Sequence, residues 1–197
     1  MRVNDKWLDG LLAATALGWA VDLALHLGAG ARSVWMDGAL VLLNLVVAAL
    51  FLRRVPVRGG PRLPLLLGAA AVVAAAVAMA AVEGPWSPLA EAAFVVGALG
   101  TAVSLGTLGR SFAVLPARRP VVSRGPYRLL RHPAYACELL MLLAALSPGG
   151  AVAWAVGGVA AALQVARVLA EERLLRADPA YRSYARAVPY RLLPGVF

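Results

Sequence analysis

The chain has 197 residues, of which 61% are hydrophobic and 15% charged, with a mean hydropathy of +0.77. Soluble domains carry roughly 25% charged residues; long runs of Ala, Leu and Val take that place here, which excludes an ordinary soluble domain and the disordered, collagen-like and coiled-coil classes. The net charge of +9 lies between apolar segments, so membrane lipids with anionic headgroups, and not nucleic acid, are the expected partners of the basic residues.

A hydrocarbon layer of about 30 Å takes roughly 20 apolar residues of helix. Six segments come close: residues 7–28, 36–52, 63–82, 88–108, 134–146 and 151–170. With a cytoplasmic amino terminus, eighteen of the nineteen basic residues fall on the cytoplasmic side and Arg32 alone falls outside. An odd number of spans destroys that asymmetry. The expected fold is therefore all-α, a polytopic transmembrane helix bundle of about six spans with both termini cytoplasmic. A single cysteine, Cys137, forbids an intrachain disulfide, so packing within lipid must hold the fold.

The first segment follows Lys6 in the manner of a secretory signal, but Asp9, Asp22 and His26 make it a poor signal core, and it is read as a span. Asp22 and His26 lie one turn apart on one face and can pair, either as a proton site or in mutual satisfaction against a neighbouring helix, and are left out of the active site; Asp37 and Asn44 on the second span receive the structural reading. The third segment is nearly pure Ala, Val and Leu, with Ala70, Ala74 and Ala78 at four-residue spacing. It is expected to pack closely or face lipid, without chemistry.

The fifth segment is different. From Pro133 to Leu146 is fourteen residues, about 21 Å of helix, too short for the hydrocarbon layer. Either the Ser147-Pro148-Gly149-Gly150 turn or the Arg131-His132-Pro133 entry must dip into the membrane, and irregular backbone survives there only inside protein or beside an aqueous cavity. This marks a candidate pocket.

Two polar clusters flank it. In Arg124 to Tyr135, Gly125-Pro126 forces a turn, Pro133 is suited to open a helix, and arginines, tyrosines and His132 gather between them. Interfacial anchoring accounts for Tyr127 and Arg128, less well for His132. After residue 170 come Glu171, Glu172 and Arg173, then Asp178, Pro179, Tyr181, Arg182 and Tyr184. Asp178 can cap a short amphipathic helix lying on the bilayer, with Tyr181, Tyr184 and Val188 as its apolar face. Plain surface pairs, Glu172 with Arg176 and Glu171 with Arg167, are the structural alternative for the acidic residues. The hairpin of the fifth and sixth spans brings the His132 and Glu171 regions to the same membrane face.

At these residues the chain resembles the integral-membrane methyltransferases related to isoprenylcysteine carboxyl methyltransferase and phospholipid N-methyltransferase. The likeness runs from Leu108 to Phe197 and rests on Leu-Gly-Arg-Ser-Phe at 108–112, Gly-Pro-Tyr-Arg at 125–128, Arg-His-Pro-Ala-Tyr at 131–135, Glu171-Glu172, and Tyr181, Tyr184, Pro189, Arg191 and Pro194. It divides the chain into amino-terminal helices, 1–107, and a catalytic half, 108–197, within one structural domain. It implies S-adenosylmethionine bound by Gly125, Tyr127, His132, Pro133, Tyr135, Glu138, Glu171, Glu172 and Tyr184. Arg131, His132, Glu171 and Arg191 are the implied catalytic residues, and no metal is expected. One departure is Cys137, where the family usually has glycine; a larger side chain there narrows the cleft or changes the helix contact.

The expected substrate is a lipophilic small molecule or isoprenoid, methylated on a carboxylate, amine or thiol. A carboxylate needs no base at neutral pH, whereas an amine or thiol calls for Glu171 or His132. Eighteen arginines to one lysine, with abundant alanine, suggest a GC-rich bacterial genome and hence the inner membrane, with the active site facing the cytoplasm. Two readings compete. An NADPH-dependent sterol-type reductase shares an Arg-His-Pro-x-Tyr segment but usually has Asn at the position of Ala134 and more spans. A non-catalytic module would use the basic tail to hold anionic lipid or a partner.

Overall fold

The protein was analysed as a computed structural model, which describes residues 6–30, 32–53, 63–82, 84–109 and 121–196. Among these there are seven α-helices and no strand: α1 (Lys6–Leu25), α2 (Val34–Arg53), α3 (Leu63–Ala80), α4 (Pro88–Leu108), α5 (Pro133–Leu146), α6 (Ala151–Leu175) and α7 (Pro179–Ala187), with a 3-10 turn at Gly125–Arg128 before α5. The all-helical expectation holds. Four helices, α2, α3, α4 and α6, are long and apolar enough to cross a membrane; α5 is apolar but short, as its length in the sequence requires. The basic 54–62 segment, and Arg110 to Phe112 of the 108–112 motif, lie outside the described residues.

Chain order is not packing order. The α1 helix packs along α2, α2 along α4, α4 along α5 and α5 along α6, while α3 lies against α6. The helix ends follow from local chemistry. Ser87 caps α4 by accepting from the Ala90 amide at 3.2 Å, with Pro88 in the first turn. Asp178 caps α7 in the same way, its carboxylate accepting from the Ala180 amide at 2.8 Å. Pro133 opens α5.

The sixth helix is longer than expected. It runs to Leu175, so Glu171 and Glu172 are helical residues rather than the start of a tail. Their neighbours Arg167 and Arg176 extend the same polar stretch along one continuous rod.

Small residues set the close contacts around α5. A Cβ on Gly97 would fall 2.6 Å from Met141 Cγ and 2.9 Å from the Cys137 carbonyl, and one on Gly100 would fall 2.6 Å from Cys137 Sγ. Cys137 therefore has its room in a glycine on the facing helix, and its effect is at the α4–α5 contact. Above it, Met36, Phe94, Ala144 and Ala145 form a core between α2, α4 and α5, with Trp86 edge-on to Phe94 at 5.5 Å. At the far end of α5, Leu146 is buried with Ala78 and Ala153, and a Cβ on Gly157 would overlap it.

The pairing expected of the first span takes another form. Asp22 and His26 meet at 3.4 Å, but both side chains are more than half exposed, so no neighbouring helix covers them. Asp37 is buried, 2.7 Å from Arg32 Nε, and accepts from the Gly28 amide at 3.0 Å. Asn44 donates to the Leu40 carbonyl within its own helix.

Because backbone atoms of α5 line Gly97, the helices must separate to admit a larger residue there. Gly97→Val is expected to lower stability by about 1–3 kcal/mol, with Cys137→Ala having a smaller effect, as read by thermal unfolding of the purified protein in detergent.

Candidate functional site

The site begins with a buried carboxylate. Glu172, on the last turns of α6, is 2% exposed, and burial of a bare charge costs several kcal/mol unless cations surround it. Arg131 Nη1 lies 2.7 Å from its Oε1, Arg191 Nε donates to Oε2 at 3.0 Å, and Arg176 Nη2 reaches Oε2 at 3.4 Å. Tyr181 adds a hydroxyl at 3.3 Å. His132 Nε2 is 3.4 Å from Oε1. A surface pair between Glu172 and Arg176 is thus the wrong description: the pair exists, but as the outer edge of a buried cluster.

Backbone bonds fix the segment that brings these groups in. The Arg131 and His132 amides donate to the Tyr190 and Arg191 carbonyls at 2.9 and 3.0 Å, and Arg131 Nη2 donates to the Pro189 carbonyl at 2.8 Å. The entry to α5 is therefore sewn to the segment following α7. Even so, the Nε and Nη1 of Arg131 and the Nε2 of His132 are buried without an acceptor in hydrogen-bond geometry among the described residues. The contacts of Arg131 Nη1 and His132 Nε2 to Glu172 Oε1 are close in charge but not aligned as hydrogen bonds.

Glu171 points to a second cluster. Its Oε1 accepts from Tyr135 Oη at 2.7 Å and from Arg167 Nε at 3.1 Å. The Tyr135 ring has two further partners: it is stacked on His132 with centroids 5.7 Å apart and an angle of 9°, and the Arg167 guanidinium lies over it at 4.8 Å. Pro133 to Tyr135, the first turn of α5, is what brings His132 and Glu171 into one assembly. One turn further along α5, Glu138 accepts from Gln164 Nε2 of α6.

A third group lies behind these. Tyr127, Tyr181, Tyr184 and Val188 form a buried cluster, with Leu108, Val121, Val122 and Leu175 packed around it. The apolar face of α7 therefore rests on the protein's own polypeptide, not on the bilayer as its amphipathic pattern suggested, and Tyr127 is a core residue rather than an interfacial anchor. Arg128 is exposed. Tyr184 Oη donates to the Tyr127 carbonyl at 2.8 Å and approaches that of Leu130 at 3.4 Å. Gly125 has φ +56°, with Thr107 alongside where a side chain would stand, so the 3-10 turn needs glycine there.

Of the residues expected at the site, Arg131, His132, Tyr135, Glu171, Glu172 and Arg191 are joined by the contacts above. Pro133 starts their helix, Glu138 sits deeper on Gln164, and Gly125, Tyr127 and Tyr184 shape the turn and the aromatic layer behind. Sequence reasoning did not select Arg167, Gln164 or Tyr181. The signal for the first was present: Arg167 is the one cation well inside an otherwise apolar α6.

No family model matches the chain. It is 36% identical over 115 residues to the cobalt-zinc-cadmium resistance protein CzcN of Cupriavidus metallidurans, a stretch covering 54% of this chain and 51% of that protein. The chain thus spans about half the length of the curated relative it matches.

Burial raises all three clustered tyrosines. It pushes Tyr184 up to about 12 against the opposing pull of Arg131, and Tyr127 and Tyr181 higher still. An unfolded tyrosine ionises near 10, so above that pH the unfolded state loses protons that the folded state retains, and stability falls as pH rises. Denaturation measured across pH 8 to 12 should show a plateau up to about 10 and a decline beyond it, shallower in Tyr184→Phe. Glu172→Gln should cost about 3–5 kcal/mol, since it removes the counter-charge of the buried Arg131 guanidinium. Glu171→Gln should cost clearly less in the same unfolding assay, because an amide oxygen still accepts from Tyr135.

Proposed function

We propose that this protein is an integral-membrane, S-adenosylmethionine-dependent methyltransferase acting on a carboxylate, or an amine or thiol, of a lipophilic small molecule. In this reading α1 to α6 all cross or enter the bacterial inner membrane, both termini are cytoplasmic, and the Glu172 cluster lies at the cytoplasmic face. The observation that carries the reading is the pairing of donor-rich and acceptor-rich groups around the α5 entry: buried Arg131 and His132 nitrogens lie beside Glu172 without aligned acceptors, and Tyr135, stacked on His132, bonds Glu171, whose two contacts both fall on Oε1. Such a donor set fits a molecule that carries a carboxylate and cationic groups together.

When bound, S-adenosylmethionine supplies a methyl group on a positively charged sulfur, open to in-line attack. The chain's own residues would do the rest. Arg131 N–H groups hold a carboxylate through charge-assisted hydrogen bonds, and Glu171 Oε2 balances positive charge beside Tyr135. His132, Arg191 and Arg131 keep Glu172 ionised against the opposing effect of burial, and Arg176 adds a contact at its outer edge, so that Arg131 and His132 stay in register. The α7 aromatic layer keeps water from the rear of the assembly, and a dry, aligned setting favours a displacement that neutralises charge. A carboxylate acceptor needs no proton removed; for an amine or thiol, His132 or Glu171 is the base.

The likeness to CzcN favours a second, physiological reading, in which the protein serves resistance to cobalt, zinc or cadmium. Among the described residues no group of three or more His, Cys, Asp and Glu side chains could hold a metal ion. Comparing the metal tolerance of a deletion strain carrying the wild-type chain or His132→Ala tests whether any such role needs the same site.

The biochemical reading is tested by incubating membranes containing the protein with cofactor labelled on its methyl group. Label should enter the organic extract and fall at least tenfold with His132→Ala, in the range expected for loss of a positioned catalytic group. Label confined to the aqueous phase argues against a lipophilic acceptor. S-adenosylmethionine at a hundredfold excess over its dissociation constant should stabilise the purified protein by about 2.7 kcal/mol; stabilisation by NADPH instead would favour the reductase.

A further inference from the structure

The site has a cationic extension toward the membrane interior that neither the motifs nor the comparison assigns. Arg167 lies one turn before Glu171 on α6, about 6 Å further along the helix axis. Only its Nε is engaged, with Glu171 Oε1 at 3.1 Å, while its plane covers the Tyr135 ring. Its terminal amino groups have no hydrogen-bond acceptor among the described residues, and the side chain is 17% exposed. They extend across α6 to α3, where a Cβ on Gly68 would fall 2.7 Å from Nη1 and 2.9 Å from Cζ. The arginine reaches this position because residue 68 has no side chain.

A guanidinium this deep in an apolar helix is costly unless it meets a counter-charge. Glu171 supplies one through Nε, and the buried Glu138 carboxylate of α5 adds a second through an electrostatic interaction. The Nη groups remain without a hydrogen bond, a planar pair of donors matched to a carboxylate or phosphate. Glu138 and Gln164, the next polar residues inward, are engaged with each other. We propose that Arg167, held in place by Gly68 of α3, is the specificity residue for the acceptor and takes the anionic head of a single-chain lipophilic molecule. Its role toward an acceptor rests on the methyltransferase reading, whereas the anion site itself does not. Two consequences follow from the geometry. The third helix, apolar and without motifs, helps to define what the site binds. An anion held by Arg167 also lies next to Tyr135 and Glu171, within the assembly that would receive the positively charged cofactor.

The test compares four probes with one hydrocarbon chain and different heads: oleate, oleyl phosphate, oleyl alcohol and oleylamine. Each is titrated, without cofactor, into the full chain in phosphatidylcholine nanodiscs, and binding is read from the shift in thermal unfolding. Wild type should bind the anionic heads roughly tenfold to a hundredfold more tightly than the alcohol, the range of a charge-assisted hydrogen bond; the ratio of oleate to oleyl phosphate tells a carboxylate from a phosphate preference. Arg167→Gln should bring the anions to the level of the alcohol, and Arg167→Lys should retain part of the difference. Gly68→Ala, which displaces the guanidinium without removing it, should weaken anion binding while leaving alcohol binding unchanged. Equal binding of all heads by wild type, preference for the amine, or an anion preference that survives Arg167→Gln overturns the assignment. An unaltered preference in Gly68→Ala overturns the part given to α3. Where Arg167→Gln does not fold, Gly68→Ala and Arg167→Lys decide. Anion selectivity that tracks Arg167 in a protein that S-adenosylmethionine does not stabilise would reject the methyltransferase reading and leave the anion site standing.

Discussion

One carboxylate organises the carboxyl-terminal half of this protein. Glu172 is buried, and an ionised carboxylate away from water is tolerated only when cations and hydrogen-bond donors replace its hydration. The groups that do so come from separate stretches of chain: Arg131 and His132 from the entry to α5, Arg176 from the end of α6, Tyr181 from α7, and Arg191 from beyond α7. The charge requirement of one side chain thus fixes the relative positions of four segments. Little apolar burial is available for that purpose at the end of a membrane bundle, where lipid-facing contacts are as apolar as the core.

The polar junction also explains how a fourteen-residue helix is accommodated. The α5 helix cannot extend further toward the Arg131 end because Pro133 lacks the N–H a preceding turn would need. The exposed end is covered instead by the 189–191 segment, whose carbonyls accept from Arg131 and His132. Along its length α5 is held by near approach to α4 at Gly97 and Gly100. Close packing by small residues and a backbone-bonded polar end are two independent constraints, and together they hold His132 and Tyr135 in a stacked pair.

Much of this was legible in the sequence. Helical class, the length of α5 and the meeting of the His132 and Glu171 regions follow from apolar run lengths, from Pro133, and from the parity of a short hairpin. The exposed and buried faces of α7 also follow from periodicity, but what covers the buried face does not, because an amphipathic pattern is the same whether lipid or protein lies against it. Glu172 and Arg176 show the related difficulty: spacing identifies a pair and gives no information on burial, which depends on residues 131 and 191. The place of α3 was the least legible feature. Its Ala, Val and Leu residues fit close packing or lipid exposure equally and carry no mark of a partner, whereas the helix packs on α6, where Gly68 makes room for Arg167.

Glu171 and Glu172 are adjacent, yet helical geometry turns successive side chains by about 100°, and this rotation separates their duties. Glu172 faces the 131–132 and 191 segments, where both of its oxygens have cationic contacts, and a carboxylate so fully engaged has little capacity left for a further ligand. Glu171 faces Tyr135 and Arg167, with both contacts on one oxygen. The acid that holds the fold and the acid left with an open oxygen are therefore different residues. Arg131 has the complementary arrangement, with one amino group fixed by the Pro189 carbonyl and two nitrogens lacking aligned acceptors. A pocket built from saturated groups would be rigid and inert, and one built from open groups would not persist against desolvation. Placing the two kinds next to each other gives a rigid frame with unsatisfied edges.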